Sequence, residues 1–462
     1  PGRASGECPV AQPGPPPTEI LITRVEEELF TTQEIIPFVQ QSVRNESLPD
    51  GQSLLIQPGI NGIQEITYRR LIENGQVISE TRIKVDDIQL TKPEIIMIGV
   101  KTPFTPQQIP GKLAYLTNGS AWVMANTTGT RRPLVTSGDL DGRIFVLSPD
   151  GDWLLFSRNG KNGSLNSLWV VSVEDNENVF EIDLDVENVI HYAEWDSLKL
   201  NTIYYSTVEP RTIAPGWQSN NDLYRLTFSP SGKQSEISEL IETNAGGIYG
   251  WWGTIFAWSP NGKFLSYARP DSIGLVDLEQ KTFNPIIEFI AYETGSDWAW
   301  TPPLSWSPAQ DVIYTLIHTS KEGPNSPETS PIFNLIALKI ENEKYFEIDT
   351  QSGMFSYPEL SINEVSPPRL AYLEAIYPEQ SDTSRYRLIL ADVDGSNRKV
   401  LFPDEGLLGL EPQKICWSPI INQNTTEYIA FIYQGNAWLL NVFSLESTQI
   451  TGDGLITKLD WK

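Results

Sequence analysis

One phrase recurs along residues 112–462 and restricts the fold more than any other feature of the chain. An apolar strand runs into a turn such as Ser-Pro-Asp-Gly, and a second strand ending in an aromatic residue follows. It reads Phe145-Val146-Leu147-Ser148-Pro149-Asp150-Gly151, then Ala257-Trp258-Ser259-Pro260-Asn261-Gly262, Ser305-Trp306-Ser307-Pro308 and Cys416-Trp417-Ser418-Pro419. Weaker copies stand at Glu194-Trp195-Asp196 and across 361–368, and a truncated one at Leu459-Asp460-Trp461-Lys462. The second strands are read at 113–116, 154–157, 203–206, 265–268, 313–316, 370–373 and 429–432. A period of about 50 residues suits a four-stranded blade. The region opens on a second strand and stops just after a first strand. The sequence therefore predicts an all-β fold: a seven-bladed β-propeller over 112–462, closed by the C-terminal strand 455–461 on 113–116, so that no sheet edge stays open.

Residues 18–100 read as a small elongated β module. Its runs at 19–24, 53–57, 64–70, 77–85 and 94–100 are separated by Pro49-Asp50-Gly51, Pro58-Gly59, Asn61-Gly62 and Asn74-Gly75. Asn-Gly pairs tolerate the positive φ angles of tight hairpin turns. Residues 1–17 are rich in Pro, Gly and Ala and read as a leader or tether. Residues 101–111 carry Pro103, Pro106 and Pro110 and read as a stiff linker.

Composition removes several function classes. Acids outnumber bases 59 to 33, for a net charge of −26, so the basic footprint that nucleic acid needs is missing. A Ser-His-Asp triad would have to use His191 or His318, and no G-x-S-x-G, HExxH, Walker or EF-hand pattern occurs. The close acid pairs Asp86/Asp87, Asp139/Asp141 and Asp183/Asp185 read as solvated turns. The expectation is a non-enzymatic chain with no catalytic residue, no metal site and no cofactor. Cys8 and Cys416 belong to no CxxC or Cys/His cluster. Cys416 reads as a core thiol. Cys8 stays open between a free thiol, a disulfide to Cys416 and a lipid tether, for which Gly6-Glu7-Cys8 is a poor lipobox. No apolar run reaches the roughly 18–20 residues that cross a bilayer. The start at Pro1, without Met, fits removal of a secretion signal.

The candidate binding site is aromatic. Trp252 stands six residues before Trp258, with Trp251 beside it, and Trp300 stands six before Trp306, with Trp298 two earlier. Tyr249, Phe355 and Tyr357 occupy similar positions ahead of a first strand. The expected ligand-binding set is Tyr249, Trp251, Trp252, Trp298, Trp300 and Tyr357, at the mouth of the central channel. Flat apolar rings with polar rims suit sugar faces or Pro-rich peptides. The competing reading has these rings fill wedge-shaped gaps between blades.

Two resemblances complete the picture. Ile36-Pro37-Phe38, Gly51, Gly59-Ile60-Asn61-Gly62, Tyr68, Asn74-Gly75, Pro93 and Ile98-Gly99-Val100 resemble the five-glycine (G5) domain in order and spacing. That resemblance implies an exported bacterial surface protein, with the module binding N-acetylglucosamine-containing polymers or acting as a spacer. The Trp-Ser-Pro phrases and Leu390-Ala391-Asp392-Val393-Asp394-Gly395-Ser396-Asn397-Arg398 resemble the propeller of the Tol-system periplasmic protein (TolB-like) and the propellers of the prolyl-oligopeptidase class. This implies a fold more than a function. Together they point to an extracellular, cell-surface or periplasmic binding or scaffold protein. Its expected partners are glycan or peptidoglycan, a protein, or copies of itself. One alternative is a propeller glycoside hydrolase or lyase acting on cell-wall polysaccharide; it needs acids on several channel-facing strands, and only Asp141 and Glu411 stand near the Trp252 register, which is too few. The other is a periplasmic partner within a multiprotein complex.

Overall fold

The computed structural model describes residues 24–45, 48, 51–99, 104–174, 180–231, 235–309, 311–320, 326–361, 367–419 and 427–462. The leader 1–17, Cys8 and most of the run 19–24 lie outside them. Among the described residues the helical segments are three single 3-10 turns, Gly250–Trp252, Pro327–Thr329 and Pro378–Gln380. No helix is long and apolar enough to cross a membrane. Two compact units emerge, one of the described residues up to Gln40 with Pro58–Glu94, the other of Gln41–Gln57 with Ile95–Lys462.

The first unit is built on a three-stranded antiparallel sheet, with Gly62–Glu73 between Val25–Ile36 and Gln76–Gln89. Asn74 and Gly75, with φ of 50° and 83°, make the turn between the two longest pairings. This left-handed geometry matches the twist of the flanking strands. Val25, Leu29, Val77, Ile78 and Ile83 are exposed, so cross-strand pairs supply the cohesion that a buried layer would otherwise give. Phe30 stacks on Tyr68 at 5.4 Å, and the Arg70 guanidinium covers Phe30 at 4.3 Å while pairing with Glu28 at 3.3 Å and Glu80 at 3.1 Å. Gly59 packs so tightly that a Cβ there would lie 2.3 Å from the Phe38 ring.

The second unit contains seven four-stranded antiparallel sheets. The first sheet joins Gln108–Thr117, Ser120–Thr127 and Arg131–Val135 to the C-terminal strand Ile456–Trp461, which pairs Trp461 with Leu113 and Ile456 with Thr117. The second holds Leu140–Leu147, Trp153–Asn159, Asn166–Ser172 and Glu181–Glu187; the third Ala193–Trp195, Thr202–Tyr205, Leu223–Phe228 and Ser235–Ile241. The fourth to seventh open with Ile255–Trp258, Leu304–Trp306, Glu359–Leu360 and Cys416–Trp417. All seven second strands read from the sequence fall on or within one residue of observed second strands. A hairpin, Val208–Pro210 with Trp217–Ser219, is inserted into the third sheet.

The repeated phrase has a mechanical explanation. Its serine hydroxyl accepts the backbone N–H that opens the next strand: Ser148 from Trp153, Ser259 from Phe264, Ser307 from Val312, Ser361 from Arg369 and Ser418 from Tyr428, at 2.9–3.2 Å. Its tryptophan reaches sideways. The indole N–H donates to a first-strand carbonyl of the preceding sheet, from Trp195 to Val146, from Trp306 to Ala257 and from Trp417 to Glu359, at 2.9, 3.2 and 3.1 Å. Hydrophobic clusters lie between successive sheets, first to second, second to third and onward, and one joins the seventh back to the first.

Two boundaries differ from the sequence expectation. Strand Gln108–Thr117 begins inside the segment 101–111 read as a linker. Pro110 cannot donate to the ladder, so the strand bulges between Gln108 and Lys112, and Gly111, with φ 63°, brings the chain against the Lys462 carbonyl. The module read as 18–100 also divides. Glu94–Gly99 lies between Gln40–Asn45 and Ser53–Gln57, and its Ile95 and Met97 are buried in one cluster with Leu113, Trp122 and Trp461.

Candidate functional site

The segment before the fourth sheet is held by one amide. Asn221, buried with φ 49°, donates from Nδ2 to the Gly250 carbonyl at 2.8 Å and accepts from the Thr254 hydroxyl at 2.9 Å. This clamps the 3-10 turn Gly250–Trp252 and leaves Tyr249, Trp251 and Trp252 partly exposed. Gly253 (φ 98°) presses on His191: a Cβ there would stand 2.7 Å from Nε2. The imidazole stacks on Trp217 of the inserted hairpin at 6.0 Å and 12°. His191 is only half-buried as a residue, but both ring nitrogens, like the Trp252 indole N–H, are covered and have no hydrogen-bond partner among the described residues. Burial lowers the His191 pKa to about 4, so the ring is neutral at pH 7 and offers one donor and one acceptor.

A second aromatic group is drawn from the segments ahead of the fifth and sixth sheets. Trp298, 37% exposed, stacks on Phe355 at 6.5 Å and 24°, and Phe355 stacks on Tyr357 at 6.1 Å and 22°. Burial pushes the Tyr357 phenol up to about 12. Trp300 departs from the expectation. It is 3% exposed, donates its indole N–H to the Met354 carbonyl at 2.8 Å and packs on Phe333 at 4.8 Å. It fills the space between the fifth and sixth sheets, as the competing reading required, and presents no ring to a ligand. The six expected residues thus divide into Tyr249/Trp251/Trp252, Trp298/Tyr357 and the buried Trp300.

The structure adds a third group that the sequence reading missed. Glu194, Glu359, Cys416 and Asp460 each stand on the first strand of their sheet, two residues before the strand-ending Asp196, Ser361, Ser418 and Lys462. Lys414 and Lys462 act electrostatically on both glutamates, and Asp460, Cys416 and both glutamates act on Lys462. Burial raises both carboxyls, against the pull of these lysines. Burial likewise raises the Cys416 thiol, which forms no disulfide among the described residues and lies 3.5 Å from the Leu459 carbonyl. The acids named from the sequence do other work. Asp141 accepts from Ser157, from the Arg143 N–H at 3.0 Å and from Asn166 at 3.0 Å, and Glu411 pairs with Arg385 on the surface. His318 is buried, its ring nitrogens 2.7 Å from the carbonyl oxygens of Ile290 and Ser330. Among the described residues no group of three or more His, Cys, Asp or Glu is placed to hold a metal ion.

Comparison with known proteins bears on both units. Residues 27–101 match the model of the G5 domain family. The crystal structure of HP0197-G5 is similar over 16% of this chain and 99% of its own, at 22% identity and a TM-score of 0.16. TolB from Acinetobacter baumannii covers 94% of this chain and 99% of its own, at 10% identity and a TM-score of 0.40. A prolyl endopeptidase covers 78% of this chain and 50% of its own, at 15% identity and a TM-score of 0.44. No curated protein matches the chain. The chain thus joins a G5 domain to a propeller-like array of seven sheets.

Proposed function

We propose that this chain is an exported bacterial protein of the cell surface or envelope, in which a closed seven-bladed propeller binds glycan at an aromatic mouth and performs no catalysis. Closure is supported by the inter-sheet clusters that return from the seventh sheet to the first and by the pairing of Ile456–Trp461 with Gln108–Thr117. The G5 match supports the surface assignment. The binding reading is carried by one observation: Trp298, Phe355 and Tyr357 form a continuous stack that remains open to solvent at Trp298. The apolar faces of sugar rings fit such a plane. The full chain should bind N-acetylglucosamine polymers or peptidoglycan fragments on a glycan array. Trp298→Ala should weaken that binding about tenfold or more. Binding by Trp298→Ala equal to wild type would exclude this mouth. Sedimentation of the full chain tests the scaffold reading, since a strict monomer leaves no self-assembly.

A second reading, a glycoside hydrolase or lyase, is favoured by Glu194 and Glu359. Acids whose carboxyls are raised by burial beside lysines are candidates for proton transfer. Release of new sugar ends from wall polysaccharide, lost in Glu194→Gln or Glu359→Gln, would establish it. Intact polymer after prolonged incubation would leave the binding reading in place.

A further inference from the structure

Arg158 in the second sheet and Arg269 in the fourth occupy the same place in the repeat. Each follows by two residues the aromatic that faces the first-strand phenylalanine, Phe156 opposite Phe145 and Tyr267 opposite Phe256. Each guanidinium covers two rings. Arg158 lies 5.4 Å from Phe156 and 4.5 Å from Trp169, and Arg269 lies 5.3 Å from Tyr267 and 4.1 Å from Phe283. Here the likeness ends. Arg158 pairs with Glu181 and, at 3.9 Å, with Asp139. Arg269 makes no ion pair among the described residues. Its Nε donates to the Thr254 hydroxyl at 3.0 Å, which fixes the plane of the group and leaves both terminal nitrogens without a partner.

The sequence shows why the fourth sheet supplies neither counter-ion. Trp169 faces Asp183 and Gly274 faces Pro285, so the position of Glu181 is taken in the fourth sheet by Phe283. The segment that would carry the counterpart of Asp139 reads Gly250-Trp251-Trp252-Gly253-Thr254 and has no acid. Asp271, on the adjoining turn, acts on Arg269 only from beyond ion-pair distance. The guanidinium is half-buried, and one terminal nitrogen lies 3.8 Å from where a Cβ of the exposed Gly247 would stand, on the segment that leads into the clamped 3-10 turn. An oriented guanidinium with two unused donors fits one oxyanion group bidentately.

We propose that Arg269 is a carboxylate-binding residue that takes the acidic group of an anionic glycan, with the sugar ring against Tyr249, Trp251 and Trp252. This rests on the glycan reading above.

The test is calorimetry on the full chain with a panel of uronate- and muramate-containing oligosaccharides, each paired with its carboxyl-amidated form. Wild type should prefer the acidic form about tenfold. Arg269→Met should bind both forms as wild type binds the amidated one. Arg269→Lys keeps the packing over Phe283 and the charge but loses the fork, and should fall between. Arg158→Met should keep the full preference. Equal binding of both forms by wild type, or an undiminished preference in the Arg269 variants, overturns the carboxylate inference and leaves glycan binding intact. Binding of no member of the panel removes the glycan reading and this inference together. Arg269-dependent capture of polyglutamate without any sugar transfers the site to acidic peptides and also overturns the inference.

Discussion

The junction between the second and third sheets and the junction between the third and fourth are built from the same residue type with opposite results. At the first, Trp195 closes the gap by donating to Val146; Trp306 and Trp417 repeat the device further round. At the second, the Trp258 indole N–H is covered and has no partner. Its ring tilts against Tyr204 at 4.9 Å, whose hydroxyl is drawn instead to Asp196 at 2.8 Å. A cavity of about 230 Å³ remains, lined by Asp196, Leu198, Tyr204, Arg225, Trp258 and Leu278. Near this same junction stand the unpartnered His191 and Trp252 and the uncompensated Arg269. A repeat fixes spacing, but each copy must still meet its own bonding requirements, and the copy that does not leaves room for something else.

The comparison can be broken at several strengths. The largest expected effect is at Trp300, which is core where its register partner Trp252 is not. Trp300→Ala should cost about 3–5 kcal/mol, against about 1 kcal/mol for Trp252→Ala, in urea unfolding. Next is pH. His191 takes a proton near 6.5 when unfolded but only near 4 when folded, so the unfolded chain holds more protons between those values. Its contribution to stability should therefore be intact above pH 6.5 and fall by about 3 kcal/mol on descent to pH 4. Glu194 and Glu359, raised when folded, slope the other way, so the quantity to read is wild type minus His191→Phe; a flat difference would mean the ring is solvated. Smaller again, Trp306→Phe should lose about 1 kcal/mol by removing the indole hydrogen bond, since the Ala257 carbonyl keeps the Ser266 hydroxyl as a donor. Smallest, Trp258→Phe should change stability by about 0.5 kcal/mol or less. Equal costs for these last two would mean that the clasp contributes nothing.

Much of this was legible in the residues. The repeated phrase marked the second strands because its serine has a fixed duty within a sheet, at Ser148, Ser259, Ser307, Ser361 and Ser418, and its tryptophan, at Trp195, Trp306 and Trp417, a duty between sheets. Val25–Ile36 was not legible: its sequence is largely acidic and polar, and its strand lies mostly exposed, so no alternation marks it. Trp252 and Trp300 looked equivalent by spacing, but spacing does not say which ring a neighbouring sheet covers. The Glu194, Glu359 and Asp460 set escaped because its signal is a position, two residues before the strand-ending residue, that holds Val146 in one sheet and Cys416 in another. The counter-ion lost at Arg269 could have been found by aligning the copies: Phe283 for Glu181 is visible once the strands are in register.

The pairing of Ile456–Trp461 with Gln108–Thr117 also has a consequence in time. Trp461 donates its indole N–H to the Pro110 carbonyl across a separation of 351 residues. During synthesis, Gln108–Thr117 leaves the ribosome long before its partner Ile456–Trp461. Until then an apolar strand with one edge unsatisfied must wait, exposed to any neighbouring chain. The first sheet is therefore complete only once Ile456–Trp461 has paired with Gln108–Thr117.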